Sequence, residues 1–196
     1  EIARSKCLLP RQVQHLAWLD MDSEEGQEYW LSMNLAGDYA KACHDQIHLN
    51  LAKHMGIKPI AKVENHHNFA WKEWHHGEEL IVHRKGATPA AKGVLGIIPG
   101  SMTAAGYIVR GRGEQASLRS ASHGAGRRLS RSKARDSFTG SALKKMLSQH
   151  KVTLIGGGID EAPIAYKNID EVMESQKNLV DVIGKFQPRI VRMDKN

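Results

Sequence analysis

Cysteine is scarce. The 196 residues contain two, Cys7 and Cys43, far apart and in no CxxC pair. That argues against a disulfide scaffold or a zinc knuckle, and a reducing cytoplasm fits best. Long apolar runs are missing too: none approaches the roughly 18 residues of a membrane span, so no membrane partner is expected. The opening Glu1-Ile2-Ala3-Arg4 lacks the apolar stretch of a secretory signal. It also lacks an initiator Met, which predicts a truncated or processed start. There is no His-Glu-x-x-His and no regular set of spaced carboxylates, so no complete metal site is expected within the chain. The absence of an internal repeat argues against a solenoid.

Basic residues and histidines are present in excess. The formal charge is +7 and the sequence pI about 9.5. Such a balance favours an acidic partner such as nucleic acid, nucleotide or anionic membrane, although an ordinary basic enzyme would look the same. Hydrophobic content of 41% suffices for one domain or for part of a larger one. Of 11 histidines, six lie between His48 and His76. Clustered imidazoles suit metal binding or phosphoryl chemistry, or else form a surface patch.

Along the chain, residues 1–21 read as an irregular lead. Asp22-Ser23-Glu24-Glu25 is a helix start, a capping side chain followed by acids. Trp30, Met33, Gly37, Ala40, His44, Ile47 and Leu51 then recur at helical steps, and the helix ends near Gly56. Short strands are expected at 60–63, 79–83, 94–98 and 107–110, with a turn at Gly86-Ala87-Thr88-Pro89. Residues 111–137 are rich in Gly, Ser and Arg. By composition they could be a linker, but their phosphate-binding pattern favours an ordered loop. Helices are expected at 142–150 and 170–177, and strands at 152–155, 179–183 and 189–191. Strands and helices without regular βαβ alternation predict an α+β fold, with mixed sheets and flanking helices.

Three stretches carry chemistry. In Ser122-His123-Gly124-Ala125-Gly126-Arg127-Arg128-Leu129-Ser130-Arg131, the glycines let backbone N–H groups approach a phosphate. Arg127, Arg128 and Arg131 offer forked donors that match phosphate oxygens. A histidine at the lip of that loop can attack phosphorus, since imidazole is mostly unprotonated above a pH of about 6.5. A glycine-rich turn with a solvated histidine is the competing account. In Val63-Glu64-Asn65-His66-His67-Asn68, neighbouring histidines on extended backbone face opposite ways, so one of the pair could ligate a metal. A histidine with a purely structural role is the commoner case. His75-His76 reads as surface. In Ile98-Pro99-Gly100-Ser101-Met102, a strand stops at Pro-Gly and presents a hydroxyl, which an ordinary turn also does.

In order along the chain, several strings together resemble the RtcB family of RNA ligases. They are Asp22-Ser23-Glu24-Glu25-Gly26-Gln27-Glu28-Tyr29, His66-His67-Asn68-Phe69, Val82-His83-Arg84-Lys85-Gly86-Ala87-Thr88, Ile98-Pro99-Gly100-Ser101-Met102, Ser122-His123-Gly124-Ala125-Gly126-Arg127 and Ala165-Tyr166-Lys167-Asn168-Ile169-Asp170-Glu171-Val172. The resemblance implies that residues 1–196 are the C-terminal portion of a larger RtcB-like fold. It implies a ligase that joins RNA 3′-phosphate (or 2′,3′-cyclic phosphate) to 5′-hydroxyl ends with GTP and Mn²⁺, through a guanylylated histidine. His123 matches that histidine. Gly124, Ala125 and Gly126 match the loop that holds GMP. His67 matches a manganese ligand and Asn68 a nucleotide contact. Pro99, Gly100, Ser101 and Met102 match guanosine-side contacts, Tyr166 an aromatic near the base, and Lys195 the family's terminal lysine at a shift of a residue or two.

The family's N-terminal half, with an Asp, a Cys, further His ligands and a guanine-reading Glu, has no counterpart here. The chain then reads as a fragment, a piece of a split or interrupted gene with a separate N-terminal chain as partner, or a degenerate copy. Gly106 stands where the family has a Ser. The alternative is a non-catalytic nucleotide- or RNA-binding remnant of the same family.

Overall fold

The computed structural model describes residues 1–193, and the chain divides into two compact units, Glu1–Ile60 and the residues from Ala61 onward. In the first, helix α1 (Ile2–Lys6) forms where an irregular lead was expected. The Cys7 thiol donates to the Trp18 carbonyl at 3.1 Å. Helix α2 (Glu24–Met55) begins where Ser23 Oγ accepts from Gly26 N at 3.1 Å. Its first turn carries Glu24 and Glu25, which suit the positive helix end. It stops at Gly56, in the left-handed region at φ 63°, as the sequence predicts.

The second unit confirms the α+β expectation as small sheets with helices against them. Strands β1 (Asn68–His75) and β2 (Glu78–Lys85) form a hairpin in the register Asn68↔Lys85 to His75↔Glu78. His76 and Gly77 both take positive φ (53° and 86°), as the type I′ two-residue hairpin turn requires. No strand forms at 60–63. Just beyond it Asn65 fastens the chain to the next sheet: its Nδ2 donates to Ile97 O at 2.6 Å and its Oδ1 accepts from Ile97 N at 3.1 Å.

The stretch expected as a turn, Ala87–Pro89, is strand β3. It pairs antiparallel with β6 (Ser120–Ser122), matching Ala87 to Ser122. Strands β4 (Leu95–Ile98), β5 (Gly106–Gly111) and β8 (Val180–Phe186) form one antiparallel sheet in the order β4-β5-β8. Helices α3 (Arg131–Ser137), α4 (Gly140–Gln149) and α5 (Ile169–Ser175) follow, each with a side-chain cap from Ser130, Thr139 or Asn168. Strands β7 (Thr153–Ile155) and β9 (Ile190–Arg192) pair in parallel.

Two apolar clusters form the interior. One gathers Ile98, Tyr107, Val109, Ile169, Met173 and Val180. The other gathers Met102, Leu143, Leu147, Val152 and Ala162. Pro99, Gly100 and Ser101 bridge them, because Ile98 anchors in the first and Met102 in the second. That short crossing is fixed at both ends by burial.

One buried charge organises the hairpin. Arg84 is 2% exposed. Its Nη1 and Nη2 donate to the two Glu73 carboxylate oxygens at 2.6 and 2.9 Å, its Nε to Ser120 Oγ at 2.8 Å, and its Nη2 also to Leu118 O at 2.9 Å. The guanidinium thereby ties β2 to the start of β6, the strand that leads into His123. His75, expected at the surface, is 1% exposed, with Nε2 at 2.8 Å from Glu73. Burial raises the Glu73 carboxyl, but the hydrogen bonds from Arg84 and His75 outweigh it and hold it below the usual range. Removing one member of a buried ion pair strands the other. Arg84→Ala is expected to cost about 3 kcal/mol, read as a lower midpoint in urea unfolding. An unchanged midpoint would show that the tie carries no stability.

Candidate functional site

Strand β6 delivers His123 to the end of the β3–β6 ladder. There His123 N donates to Gly86 O at 3.3 Å, and Gly86 N donates to His67 O at 3.2 Å. Gly86 is the common contact, so the two histidine-bearing segments meet across it. The His67 and His123 rings stack, with centroids 5.0 Å apart and planes 12° from parallel. His123 Nδ1 is buried without a hydrogen-bond partner.

After His123 the chain is held on both sides. Ala125 N donates to Pro99 O at 3.0 Å, and a Cβ on Gly124 would stand 3.1 Å from that same oxygen. A side chain at 124 would therefore push the loop off Pro99. On the other side Lys167 N donates to Gly126 O at 2.9 Å and Arg128 N to Ala165 O at 2.8 Å, bracketing an antiparallel bridge between Arg127 and Tyr166. Gly126 turns at φ 73°, where glycine is favoured.

These contacts open a cavity of about 850 Å³. Pro99, Gly100, Ser101, Met102, His123, Gly124, Ala125, Gly126 and Tyr166 all line it, so the structure brings these sequence-selected residues into one wall. His67 joins them through its stack on His123. Asn68 does not line the cavity: it is the exposed first residue of β1, paired with Lys85. Lys195 lies outside the described residues.

The arginines behave differently from the sequence expectation. Arg127 Nη1 pairs with Glu161 Oε2 at 3.1 Å, and its Nη2 donates to Asp160 O at 2.5 Å. Arg131 pairs with Asp160 at 2.6 Å and Glu161 at 2.7 Å. Both are committed to the 3₁₀ turn Ile159–Glu161 rather than held open for phosphate. Arg128 Nε donates to Ile164 O at 3.0 Å and its guanidinium meets no carboxylate among the described residues.

Tyr166 donates its hydroxyl to Glu161 and lies under the Arg127 guanidinium, 5.2 Å from its ring centroid. Burial, then the bond to Glu161, pushes its hydroxyl pKa up. The sequence reading missed Glu161 and the segment from Phe186 to Met193, which also line the cavity. Arg189 is exposed there and meets no carboxylate among the described residues, so it is an open cation at the cavity.

The volume suits a nucleotide-sized ligand, within the usual range of about 300–1,000 Å³. The small residues at its lip suit close backbone approach to a phosphate. Manganese fits less well. Among the described residues no three His, Cys, Asp or Glu side chains gather to hold a metal ion. His67 and His123 alone do not make a manganese centre, which favours oxygen donors. No described helix is long and apolar enough to cross a membrane.

Fold and site together define an α+β protein in which a histidine on a glycine-rich loop borders a nucleotide-sized cavity. Residues 2–194 match the family described as RtcB, tRNA-splicing ligase. The chain is 48% identical to the Escherichia coli RNA-splicing ligase RtcB over 124 residues, 63% of this chain and 30% of that protein. It is 29% identical to the Thermococcus kodakarensis tRNA-splicing ligase RtcB over 96% of this chain and 46% of that protein. It is 31% identical to the Mycobacterium tuberculosis RNA-splicing ligase RtcB over 88% of this chain and 46% of that protein. The chain belongs to the RtcB family, and it matches less than half the length of each of these relatives.

The carboxylate that anchors the loop arginines gives a pH signature. Burial raises the Asp160 pKa, but the Arg131 hydrogen bond and the Arg135 charge outweigh it, and the carboxyl is held below its ordinary value. A carboxyl lowered on folding stabilises fully above its unfolded pKa of about 3.9. That stabilisation is lost as pH falls through the lower folded value. Asp160→Asn is expected to cost about 2 kcal/mol at neutral pH, lowering Tm by about 4–8 °C. The gap from the parent should close as pH drops below about 4. A gap constant from pH 7 to 3, followed by thermal melting, would contradict this account.

Proposed function

We propose that this chain carries the nucleotide-loading half of an RtcB-type ligase that joins RNA 3′-phosphate (or 2′,3′-cyclic phosphate) to 5′-hydroxyl ends with GTP. The observation that carries the reading is the convergence of His123, the Gly124–Gly126 loop and the Pro99–Met102 crossing on one cavity, with His67 stacked behind the ring. His123 Nδ1 is buried without a hydrogen-bond partner, and we assign the nucleophile to Nε2. In the proposed first step Nε2 attacks the α-phosphorus of GTP. An N–P bond forms, the P–O bond to the β-phosphate breaks, and pyrophosphate leaves.

A 2′,3′-cyclic end is first opened by water to the 3′-phosphate; an oxygen of that phosphate then attacks the guanylyl phosphorus, the N–P bond breaks, and the imidazole leaves. The 5′-hydroxyl attacks the activated phosphate, and GMP departs. Backbone N–H groups of the loop and the open Arg189 would bear the phosphate charge that develops in these steps. Tyr166 would flank the base, with Asn68 and Lys195 as further contacts reached in the complete site. A manganese centre would draw His67 from this chain and its other ligands from elsewhere in a full-length ligase. The cytoplasm suits such an activity.

A second reading, a non-catalytic nucleotide- or RNA-binding remnant of the family, is favoured by the fact that no metal-ligand cluster gathers among the described residues. Incubation with Mn²⁺ and GTP labelled at the α-phosphate separates the two. The ligase reading expects acid-labile, alkali-stable label that disappears in His123→Ala. GTP binding without label would favour the non-catalytic reading, and label that persists in the variant, or no GTP binding at all, would contradict the assignment of His123.

A further inference from the structure

The histidine loop is a wall with two faces, and the cavity uses one of them. Around the Arg127–Tyr166 bridge the backbone is extended and antiparallel, so neighbouring side chains point to opposite sides. Arg127 and Tyr166 line the cavity, whereas Arg128 and Lys167 line a separate groove of about 570 Å³. His123 and Ser122 divide in the same way, His123 to the cavity and Ser122 to the groove.

We propose that this groove binds the phosphodiester backbone of a single-stranded RNA near its 3′ end, on the face of the histidine loop opposite the cavity. The inference rests on the ligase reading of the cavity and adds where the nucleic acid lies. The cations decide it. Arg127 and Arg131 are held by Glu161 and Asp160. Arg128 and Lys167 are exposed and meet no carboxylate among the described residues, so they can take phosphate without breaking an ion pair. Glu171 also lines the groove, accepting a long bond from Asn168 Nδ2 at 3.4 Å, and the two cations outnumber it.

The floor is rigid. Gln176, 4% exposed, accepts from Ser122 N through Oε1 at 2.9 Å, which binds α5 to the strand that carries the histidine. Ser122 Oγ in turn donates to Gly124 O at 2.7 Å. A strand seated against Ser122 lies on the face of the loop opposite the His123 ring, so its 3′ end reaches the cavity only by turning around the loop.

The test is RNA binding by the full chain, measured by fluorescence anisotropy of a single-stranded oligonucleotide ending in a 3′-phosphate across a salt series. Arg128→Ala with Lys167→Ala is compared with Lys144→Ala plus Lys145→Ala on α4, which removes the same charge elsewhere. The groove variant should bind roughly tenfold more weakly near 0.1 M salt, and its slope of log K against log salt should shrink by about 1.4, for two lost single-strand phosphate contacts. The α4 variant should match the parent. Equal losses in both variants, no loss in the groove variant, or no RNA binding by the parent would overturn the groove. The binding is measured without GTP, so this outcome is read separately from the label on His123. A failed groove beside a labelled histidine would leave the ligase reading standing.

Discussion

The grip on the loop after His123 is the constraint on which the rest depends. Backbone bonds from Ala125 to Pro99 and between Gly126–Arg128 and Ala165–Lys167 hold it from both sides. Each is a modest net contribution, about 1 kcal/mol. Their effect is geometric: the loop can neither swing away from the Pro99 crossing nor peel away from Tyr166. The small residues at 124–126 follow from that grip, because Gly124 is pressed against a carbonyl and Gly126 turns through positive φ. A histidine delivered into such a loop has one way to face.

Buried charge sets the position of the grip. Arg84 ties the hairpin to the strand before His123, and Asp160 and Glu161 tie the arginines after it. Both arrangements place a guanidinium against carboxylates of low exposure. Ion pairs of that kind add less net stability than their short distances suggest, since desolvation offsets much of the attraction, but they hold one geometry firmly. Here they fix the two flanks of the same short segment. The two apolar clusters supply the bulk of the interior, and the Pro99–Ser101 crossing between them becomes a fixed rail for the loop.

Much of this was legible in the residues, and what was not has physical causes. Helix α2 announces itself locally, with Ser23 and two acids at one end and Gly56 at the other. The Pro99–Met102 and Gly124–Gly126 strings are legible because close backbone approach leaves a mark in the residues themselves. Strand β3 was hidden because Gly86 and Pro89 are turn residues and its partner lies more than thirty positions away. Helix α3 was hidden in a Gly, Ser and Arg composition, where Ala134 is its buried residue. The burial of His75 and the roles of Arg127 and Arg131 depend on carboxylates brought in by tertiary structure. A phosphate-like cluster of arginines in sequence turns out, in space, to be largely a brace.

The most direct measurement of the central claim is the chemical reactivity of the imidazole at position 123. Diethyl pyrocarbonate modification, followed by peptide mass spectrometry with and without GTP, reads each histidine separately. The account expects His123 to react when the cavity is open and to be protected by GTP, while exposed His76 and His150 react equally in both conditions. A His123 that never reacts, or that reacts equally with GTP present, would contradict a ring facing a nucleotide site.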